Sequence, residues 1–474
     1  MGAMKTSLFV ISDLHLGGAA ASNGEPSFQM CSSAGRAKLG QFIDYVTDQG
    51  KTNCKVHLVI NGDIVDFLAE TDKNGKFSSF TGDDGTATDK FKQIIDHTPE
   101  IWPKLRNLVE SGAQLTLLLG NHDVELSLPK TRRLLMKTIG PGKIEFLYDN
   151  QAFVEGPVII EHGNRYDNWN VISHDVLRAV RSALSRGETP ISFLGPAGSQ
   201  LVQKIMNPIK SKFPFVDLLK PEDAAALPVL GVLDPSVVNQ FPEYAKLAAR
   251  KSMIRFDSRG IPLDRQNIAD QPISDEDQKM IDHATRLSGY DPNNIAATSP
   301  LDLLERLKQA TSAGMKQLVR EAASKKLLEA FRLMAHGTGD FTRTFDVNEE
   351  EAKYLRPAKT LVAKGFKIVI FGHTHLVKRV LMGEGAVYLN TGTWADLIKI
   401  PDSILNGDET EARQLFSNFL QDMESGNLEG WRCQVPTFAR VDFEDDKPTM
   451  ADVYFFDGPD QISKVPDGVL ARFQ

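Results

Sequence analysis

Cysteine is scarce in this sequence of 474 residues, and long hydrophobic runs are missing. The three cysteines, Cys31, Cys54 and Cys433, lie far apart and form no Cys-x-x-Cys pair, so neither a disulfide framework nor a zinc ribbon is indicated. Reduced thiols in a cytoplasmic protein explain this pattern. The apolar run Leu8 to Ile11 has the length of a strand and is too short for a signal-peptide core or a membrane span. We therefore expect a cytoplasmic protein without a transmembrane segment.

An excess of positive charge is also missing. Lysine and arginine number 54 against 62 aspartate and glutamate residues, which gives a formal net charge of −8. This balance disfavours a protein that coats nucleic acid, so we expect no stable nucleic-acid partner, although a local basic pocket stays open. The sequence is 41% hydrophobic, which is ordinary for a globular protein, and its length favours two or three domains.

Strand-like and helix-like segments alternate in the first 165 residues. A helix is predicted from about Arg36 to Asp48, and a second helix-like segment from about Asp89 to Glu110. Short continuous apolar runs lie between them, as is typical of strands that are covered on both faces. The four runs are Leu8–Ile11, His57–Ile60, Leu115–Leu119 and Pro157–Ile160. This region therefore predicts a layered α/β fold.

Helical patterns dominate the middle of the chain, where apolar residues recur at helix spacing from Met315 to Met334. The α/β pattern then returns in four strand-like runs, which are Lys367–Phe371, Ala386–Leu389, Phe438–Phe443 and Ala451–Phe456. We predict one α/β core, formed by residues 1–168 and 349–474 and interrupted by a helical insertion at 169–348.

Five of the strand-like runs end in polar clusters that can bind metals. Ligands of α/β sheets bind outside the carboxyl ends of the strands, so five clusters in such positions can converge on one point. Their carboxylate, imidazole and amide groups suit divalent manganese, iron or zinc. The clusters are Asp13-Leu14-His15, Gly62-Asp63, Gly120-Asn121-His122-Asp123, Glu161-His162-Gly163 and Gly372-His373-Thr374-His375.

Each cluster taken alone has a simpler explanation. Gly62-Asp63 can be a turn after a strand, Asn121 can cap a helix, and His162 can be a buried core histidine. The ordered series of seven suitable ligands, each just past an apolar run, favours a metal centre instead. Asp63 has two oxygens and can bridge two metals, and two metals about 3.5–4 Å apart can clamp both oxygens of a displacement at phosphorus.

The same series resembles the calcineurin-like metallophosphoesterase superfamily, with motifs that cover about residues 1–165 and 360–400. The resemblance implies a two-sheet β-sandwich flanked by helices, and hydrolysis of a phosphate ester or phosphoanhydride by a metal-bridging hydroxide. It also implies two divalent metal ions, for which manganese is favoured over iron or zinc. One ion would be held by Asp13, His15, Asp63 and His375, and the other by Asp63, Asn121, His162 and His373.

The resemblance assigns the remaining residue of the third cluster, His122, a catalytic role. His122 would bind the phosphate and protonate the leaving oxygen, and Asp66 would orient His122 and favour its charged form. The alternative for Asp66 is a carboxylate at a helix N-terminus.

The branch within the superfamily is less clearly marked. Protein Ser/Thr phosphatases of this superfamily carry Arg-Gly after the aspartate that corresponds to Asp66. Here Phe67-Leu68 follows Asp66, which disfavours that subfamily. The segment from His162 to Asn170 resembles the bacterial UDP-diacylglucosamine pyrophosphohydrolase-like branch, but His122 stands where that branch has arginine, and the insertion is longer. The substrate expected is therefore a phosphorylated small molecule or a lipid-linked phosphate. A cyclic-nucleotide phosphodiesterase, a nuclease and a non-catalytic binding scaffold are the alternatives.

The insertion leaves and re-enters the core beside the predicted metals. It is therefore predicted to be a lid or a specificity wall, with packing against the core or an oligomer interface as the alternative. Its basic stretch from Leu201 to Leu219 fits either peripheral contact with a membrane or a solvated helix. Trp394 either reaches the site or anchors its loop. The predicted substrate contacts are Arg165, Asp167 and Asn168. The alternative is that these residues form a turn and the start of a helix.

Overall fold

The larger of two facing sheets has seven strands, of which four neighbours are parallel and the other three pair antiparallel. A computed structural model describes residues 5–18, 29–51, 54–210, 213, 215–220, 325, 328, 332 and 345–465. In spatial order the seven strands are β15 (Ile462–Lys464), β14 (Lys447–Phe456), β13 (Thr437–Glu444), β1 (Lys5–Ile11), β2 (Lys55–Asn61), β3 (Gln114–Leu118) and β4 (Lys143–Leu147).

The second sheet has five strands and faces the first. Its three central strands are parallel to one another. In spatial order they are β5 (Phe153–Glu155), β6 (Val158–Ile160), β8 (Ile368–Phe371), β10 (Ala386–Thr391) and β9 (Val377–Gly383). A small third sheet joins β12 (Arg432–Cys433), β11 (Leu397–Lys399) and β7 (Leu219–Lys220).

Alternate residues of β1 point to opposite faces of the first sheet, and both faces are buried. Leu8 and Val10 pack with Ile368 and Ile370 of the facing sheet, in the core between the two sheets. Phe9 and Ile11 pack instead in the core beneath the helices. Full burial of such a side chain contributes about 1.5–3 kcal/mol. The prediction of a two-sheet sandwich whose strands are covered on both faces is confirmed.

Helices cover the outer faces of both sheets. The first sheet packs against the four helices between residues 33 and 139, and the second against the helix that contains Tyr354 and Ala358. The helices of the described residues are α1 (Ser33–Gln49), α2 (Asp84–His97), α3 (Trp102–Glu110), α4 (Pro129–Ile139), α5 (His174–Ser185), α6 (Ala197–Leu201), α7 (Asn207–Lys210), α8 (Ala352–Ala363), α9 (Asp402–Asn406) and α10 (Glu409–Ser425). None of them is long and apolar enough to cross a membrane.

The helix-like segment predicted from Asp89 to Glu110 is two helices. The first begins earlier, because the Asp83 carboxylate accepts a hydrogen bond from the Thr86 amide at 2.7 Å and caps it. This helix ends at His97, and α3 begins at Trp102 with Pro103 in its first turn. Proline fits there because the missing N–H has no partner inside a helix at that position.

The predicted insertion is described only in part. Its described residues include α5, α6, α7 and β7, and Phe213 and Phe215 pack in a core with Phe416 and Phe419 of α10. Of the predicted helical stretch from Met315 to Met334, all but residues 325, 328 and 332 lie outside the described residues, as does Lys212 in the basic stretch. The division into core and insertion stays a prediction.

Candidate metal centre

The five polar clusters meet at the carboxyl ends of β1, β2, β3, β6 and β8. The first two are joined through the backbone, because the Asp13 amide donates to the Gly62 carbonyl at 3.1 Å and the His15 amide to the Asp63 carbonyl at 3.0 Å. In the facing sheet, the Gly372 amide donates to the His162 carbonyl at 2.9 Å. The parallel strand order therefore brings together side chains that are far apart in the sequence.

One group of possible ligands consists of Asp13, His15 and His375, whose ligand atoms lie within 4.8 Å of one another. The Nε2 atoms of the two histidines are 2.9 Å apart, and Asp13 Oδ1 lies 3.5 Å from His375 Nε2. All three residues are buried. Three lone-pair donors therefore face one small volume.

A second group consists of Asp63, His162 and His373, again within 4.8 Å. His162 Nδ1 donates to the Asn61 carbonyl at 2.7 Å, which directs the lone pair of the neutral ring's Nε2 into the site. Burial lowers the pKa of His162, but Asp63 and Asp13 raise it to about 10. The negative charge that favours a proton here also favours a metal cation.

Asp63 belongs to the second group and also faces the first. Its Oδ2 is 3.2 Å from His162 Nε2 and 3.8 Å from His15 Nε2, and its Oδ1 accepts from the His122 amide at 2.8 Å. Burial raises the pKa of Asp63, but the neighbouring histidines lower it well below the usual value. An ionised carboxylate is therefore held where both groups can share it.

Several atoms of these side chains fit a cation because they are buried and make no hydrogen bond. They include Asp13 Oδ1, Asn121 Oδ1 and His162 Nε2. A buried polar atom without a partner costs about 1–3 kcal/mol, so a set of them around one volume requires an explanation. Divalent metal ions, which accept lone pairs from all three atom types, supply one.

Five of the seven predicted ligands have a left-handed backbone, which is rare outside glycine. They are Asp13 (φ 55°), His15 (φ 44°), Asp63 (φ 49°), His373 (φ 73°) and His375 (φ 62°). Such strain persists where the surroundings determine the conformation and is concentrated at functional sites. The clusters are therefore tight turns that aim their side chains inward.

Glycine is required at Gly62 for two separate reasons. Its φ is +79°, and an added Cβ would lie 2.5 Å from His162 Nδ1. Gly75 has nearly the same φ, +73°, but nothing lies within 4 Å of its added Cβ. Gly75→Ala should therefore lower the free energy of unfolding by about 1–2 kcal/mol from backbone strain alone. Gly62→Ala should lower it by roughly 1–3 kcal/mol more through overpacking, as urea unfolding would measure. Equal losses in the two variants would contradict the close approach.

His122 and Asp66 are in contact beside the two groups of ligands. His122 Nδ1 donates to Asp66 Oδ1 at 3.1 Å, and the same oxygen accepts from the amides of Leu68 and Ala69 at 3.0 and 3.2 Å. Asp66 therefore both orients His122 and accepts from the amides at the start of a short helical turn, so the two roles predicted for it occur together. Burial lowers the pKa of His122, but Asp66 and Asp63 raise it to about 9.

Two of the predicted substrate contacts, Asp167 and Asn168, differ in their surroundings. Asp167 Oδ2 accepts from His373 Nε2 at 3.2 Å and from Asn170 Nδ2 at 3.0 Å. Asn170 Oδ1 accepts in turn from Asn121 Nδ2 at 3.4 Å. Asp167 therefore links two predicted ligands, whereas Asn168 is half-exposed.

The remaining predicted residues lie at the edge of this arrangement. Arg165 Nη1 donates to Glu161 Oε1 at 3.2 Å, and its guanidinium lies over the Tyr166 ring. Trp394 is buried, its ring centroid is 5.1 Å from that of Phe42, and its amide donates to the Asp13 carbonyl at 3.2 Å. Trp394 therefore anchors its loop.

Sequence reasoning assigned no role to Asp123 or Asn170. Asp123 is fully buried and accepts from the Gly120 and Ile64 amides, both at 2.7 Å, so it joins the turns after β3 and β2. The contiguous Gly-Asn-His-Asp motif was the available signal for Asp123. No local pattern pointed to Asn170.

Residues 6–191 match the family model for calcineurin-like phosphoesterases. A comparison with curated proteins gives no match. The matched segment contains the first four polar clusters, and the fold brings the fifth, with His373 and His375, to the same place. This segment is therefore similar to the calcineurin-like phosphoesterases, which are metal-dependent phosphoester hydrolases.

Proposed function

We propose that this protein hydrolyses phosphate esters or phosphoanhydrides at a centre for two divalent metal ions, with manganese favoured. The observation that carries the proposal is the position of Asp63 between two groups of ligand atoms. When bound, such ions polarise the phosphoryl group, neutralise developing charge and lower the pKa of a water molecule.

The residues of the chain divide into two ligand sets in this proposal. Asp13, His15, Asp63 and His375 would hold one ion, and Asp63, Asn121, His162 and His373 would hold the other. The buried Asp13 Oδ1, Asn121 Oδ1 and His162 Nε2 atoms would gain partners on binding.

His122 acts on the substrate itself in the proposed mechanism. Because Nδ1–H is bonded to Asp66, the ring is held in one orientation and its Nε2–H is left to donate to a phosphoryl oxygen and then to the leaving oxygen. The negative charge of Asp66 favours the protonated ring that this step needs.

A panel of substrates under manganese, with and without chelator, tests the proposal. The panel consists of 4-nitrophenyl phosphate, bis(4-nitrophenyl) phosphate, a cyclic nucleotide and a nucleoside diphosphate conjugate. We expect turnover of one class, lost with chelator and restored by manganese. Turnover that survives chelation and metal depletion, or no turnover of any member with two ions bound, would contradict it.

Asp167 and Asn170 are expected to act through the ligands they contact. Asp167→Asn and Asn170→Ala should each weaken manganese binding by roughly 10–100-fold, as loss of a partner that orients a ligand does. Titration of metal-depleted protein with manganese measures this, and Asn168→Ala is the matched control from the same segment. Equal weakening in the control, or none in the two variants, would show that the hydrogen bonds do not support the ligands.

A further inference from the structure

One helical segment of the predicted insertion, residues 197–210, lies against the core beside the candidate metal centre. A π-helical turn at Val202–Met206 joins α6 to α7 within it. Such turns are rare inside helices and are frequent at functional sites. The segment donates hydrogen bonds to the core from Gly198, Gln203 and Asn207. The first and last of these contacts lie next to residues of the proposed site.

At its first end, the segment approaches the turn that supports Asn121. The Gly198 amide donates to the Trp169 carbonyl at 2.7 Å. A Cβ added to Gly198 would lie 2.3 Å from Asn170 Oδ1, the oxygen that accepts from Asn121 Nδ2. Only glycine leaves room for so close an approach. Gly198 therefore provides the space in which Asn170 contacts a predicted metal ligand.

This contact determines which way the Asn121 amide points. Its Nδ2 donates to Asn170, so its Oδ1 is the atom left for a cation, and this Oδ1 is buried with no hydrogen-bond partner among the described residues. Asn170 is held in turn by Asp167, whose Oδ2 accepts from Asn170 Nδ2 at 3.0 Å. A side chain at position 198 would turn the Asn170 amide aside and leave the Asn121 amide free to rotate.

At its second end, the segment bonds to the peptide unit that supports Asp66. Asn207 is 1% exposed, and its Nδ2 donates to the Leu68 carbonyl at 2.7 Å. The N–H of the same peptide unit belongs to Ala69 and donates to Asp66 Oδ1 at 3.2 Å. That oxygen also accepts from His122 Nδ1. Because linked hydrogen bonds polarise and orient one another, Asn207 helps to fix the carboxylate that orients His122.

The middle contact docks the segment on residues 77–79, which hold none of the predicted ligands. Gln203 Nε2 donates to the Phe77 carbonyl at 3.1 Å, and Gln203 Oε1 accepts from the Ser79 amide at 3.1 Å. Gly195, just before the segment, is packed as tightly as Gly198, since its added Cβ would lie 2.3 Å from the Ser79 carbonyl oxygen. Gln203 and Gly195 are therefore matched controls for Asn207 and Gly198.

We propose that residues 197–210 belong to the catalytic unit, with Gly198 and Asn207 as positioning residues. Gly198 keeps the Asn121 oxygen directed at the second proposed ion. Asn207 keeps the His122 imidazole directed at the leaving oxygen. A lid or specificity wall acts on the substrate, whereas these two contacts act on groups that bind metal or move a proton. The proposal rests on the proposed function, but the effect of Gly198 is measured by metal binding alone.

Gly198→Ala should weaken the binding of one manganese ion by roughly 10–100-fold, as loss of a partner that orients a ligand does. The Asn170 amide is the end of a side chain and can turn aside, so this variant should lose little stability. Gly195→Ala meets a backbone carbonyl instead, so it should lose more stability and bind manganese as wild-type protein does. Manganese titration of metal-depleted protein and urea unfolding measure the two effects.

A double variant tests whether Gly198 acts through Asn170. In protein that carries Asn170→Ala, the Gly198→Ala change has no Oδ1 to displace and should alter manganese affinity by less than about twofold. Additive losses, equal weakening by Gly195→Ala, or unchanged affinity in Gly198→Ala would overturn the role of Gly198. If Gly198→Ala does not fold, a folded double variant with the affinity of Asn170→Ala still supports the role. Misfolding of the double variant as well would overturn it, because the clash would then not depend on Asn170.

Asn207→Ala should lower turnover of a phenyl ester by roughly tenfold, as expected for a lost hydrogen bond to a buried carbonyl. It should lower turnover of the 4-nitrophenyl ester of the same class less, because 4-nitrophenolate leaves without protonation. Gln203→Ala removes a similar amide contact and should leave the ratio of the two rates unchanged. In protein that carries His122→Ala, the Asn207→Ala change should not alter this ratio further.

An unchanged ratio in Asn207→Ala, the same change in Gln203→Ala, or a further change in the His122→Ala background would overturn the role of Asn207. If wild-type protein turns over no ester, the proposed function fails and the role of Asn207 fails with it. The manganese titrations still decide the role of Gly198 in that case, so the two failures can be distinguished.

Discussion

Asp63→Asn should abolish detectable hydrolysis and leave the protein unable to retain two metal ions. Asp63 Oδ2 faces both groups of ligands, so loss of its charge removes an anion that the two proposed cations would share. Removal of one preorganised electrostatic contact commonly costs roughly 10²–10³-fold in rate, and this change should also weaken the binding of both ions. Asparagine is a suitable replacement because it tolerates the φ of 49° and can still accept the hydrogen bond from the His122 amide. Elemental analysis after dialysis and hydrolysis assays under manganese measure the two effects.

Asp84→Asn is the matched control for this change. Asp84 is also buried, and its carboxylate accepts hydrogen bonds from the amides of Lys130 and Thr131, outside the site. The control removes the same charge from a buried, hydrogen-bonded carboxylate, so it should cost stability without changing metal content or turnover per folded molecule. Two ions retained by Asp63→Asn would contradict the shared position of this residue.

The candidate ligands were predictable because each cluster is contiguous in the sequence and follows an apolar run. The pair Asp13 and His15 needs only the end of β1, and parallel pairing then brings the ends of β1, β2 and β3 to one edge. The sandwich was expected from the resemblance, which joined the same clusters to a known arrangement. The family match indicates the general activity but identifies neither the metal nor the substrate.

The supporting contacts have no local pattern in the sequence, because they depend on tertiary placement. The contact of His122 with Asp66, across 56 residues, was expected only from the resemblance, and the contact of Asn121 with Asn170, across 49 residues, was not expected at all. Strand β7 has two residues and β11 has three, which is too short for any periodicity to register. The third sheet was therefore not expected from the sequence.

Two buried carboxylates of the site keep their charge because of the histidines around them. Asp13, Asp63 and Asp66 lie within or beside the ligand groups, and the histidines hold Asp63 and Asp66 in their ionised forms despite burial. The same negative charge would favour divalent cations at this place.

His122→Ala should lower turnover by roughly 10²–10⁴-fold and leave metal content unchanged, because His122 is proposed to donate a proton and not to bind metal. The defect should be larger with phenyl phosphate than with 4-nitrophenyl phosphate, since 4-nitrophenolate leaves without protonation. Burial lowers the pKa of His122, but Asp66 and Asp63 raise it to about 9, so the acid form predominates below that pH and is lost above it. The difference between wild-type protein and the variant should therefore shrink as the pH rises through 9. Steady-state kinetics with both esters across this pH range measure the effect.

His97→Ala is the control, because His97 Nδ1 lies 3.0 Å from Glu70 Oε1 in a pairing that resembles the 3.1 Å contact of His122 with Asp66. Loss of a histidine from a buried carboxylate is common to both variants, and only His122 lies beside the ligand groups. A defect of the same size with both leaving groups would limit His122 to binding the phosphoryl group. Loss of metal from His122→Ala would mean instead that the amide-to-Asp63 contact, and with it the turn after β3, depends on the imidazole ring.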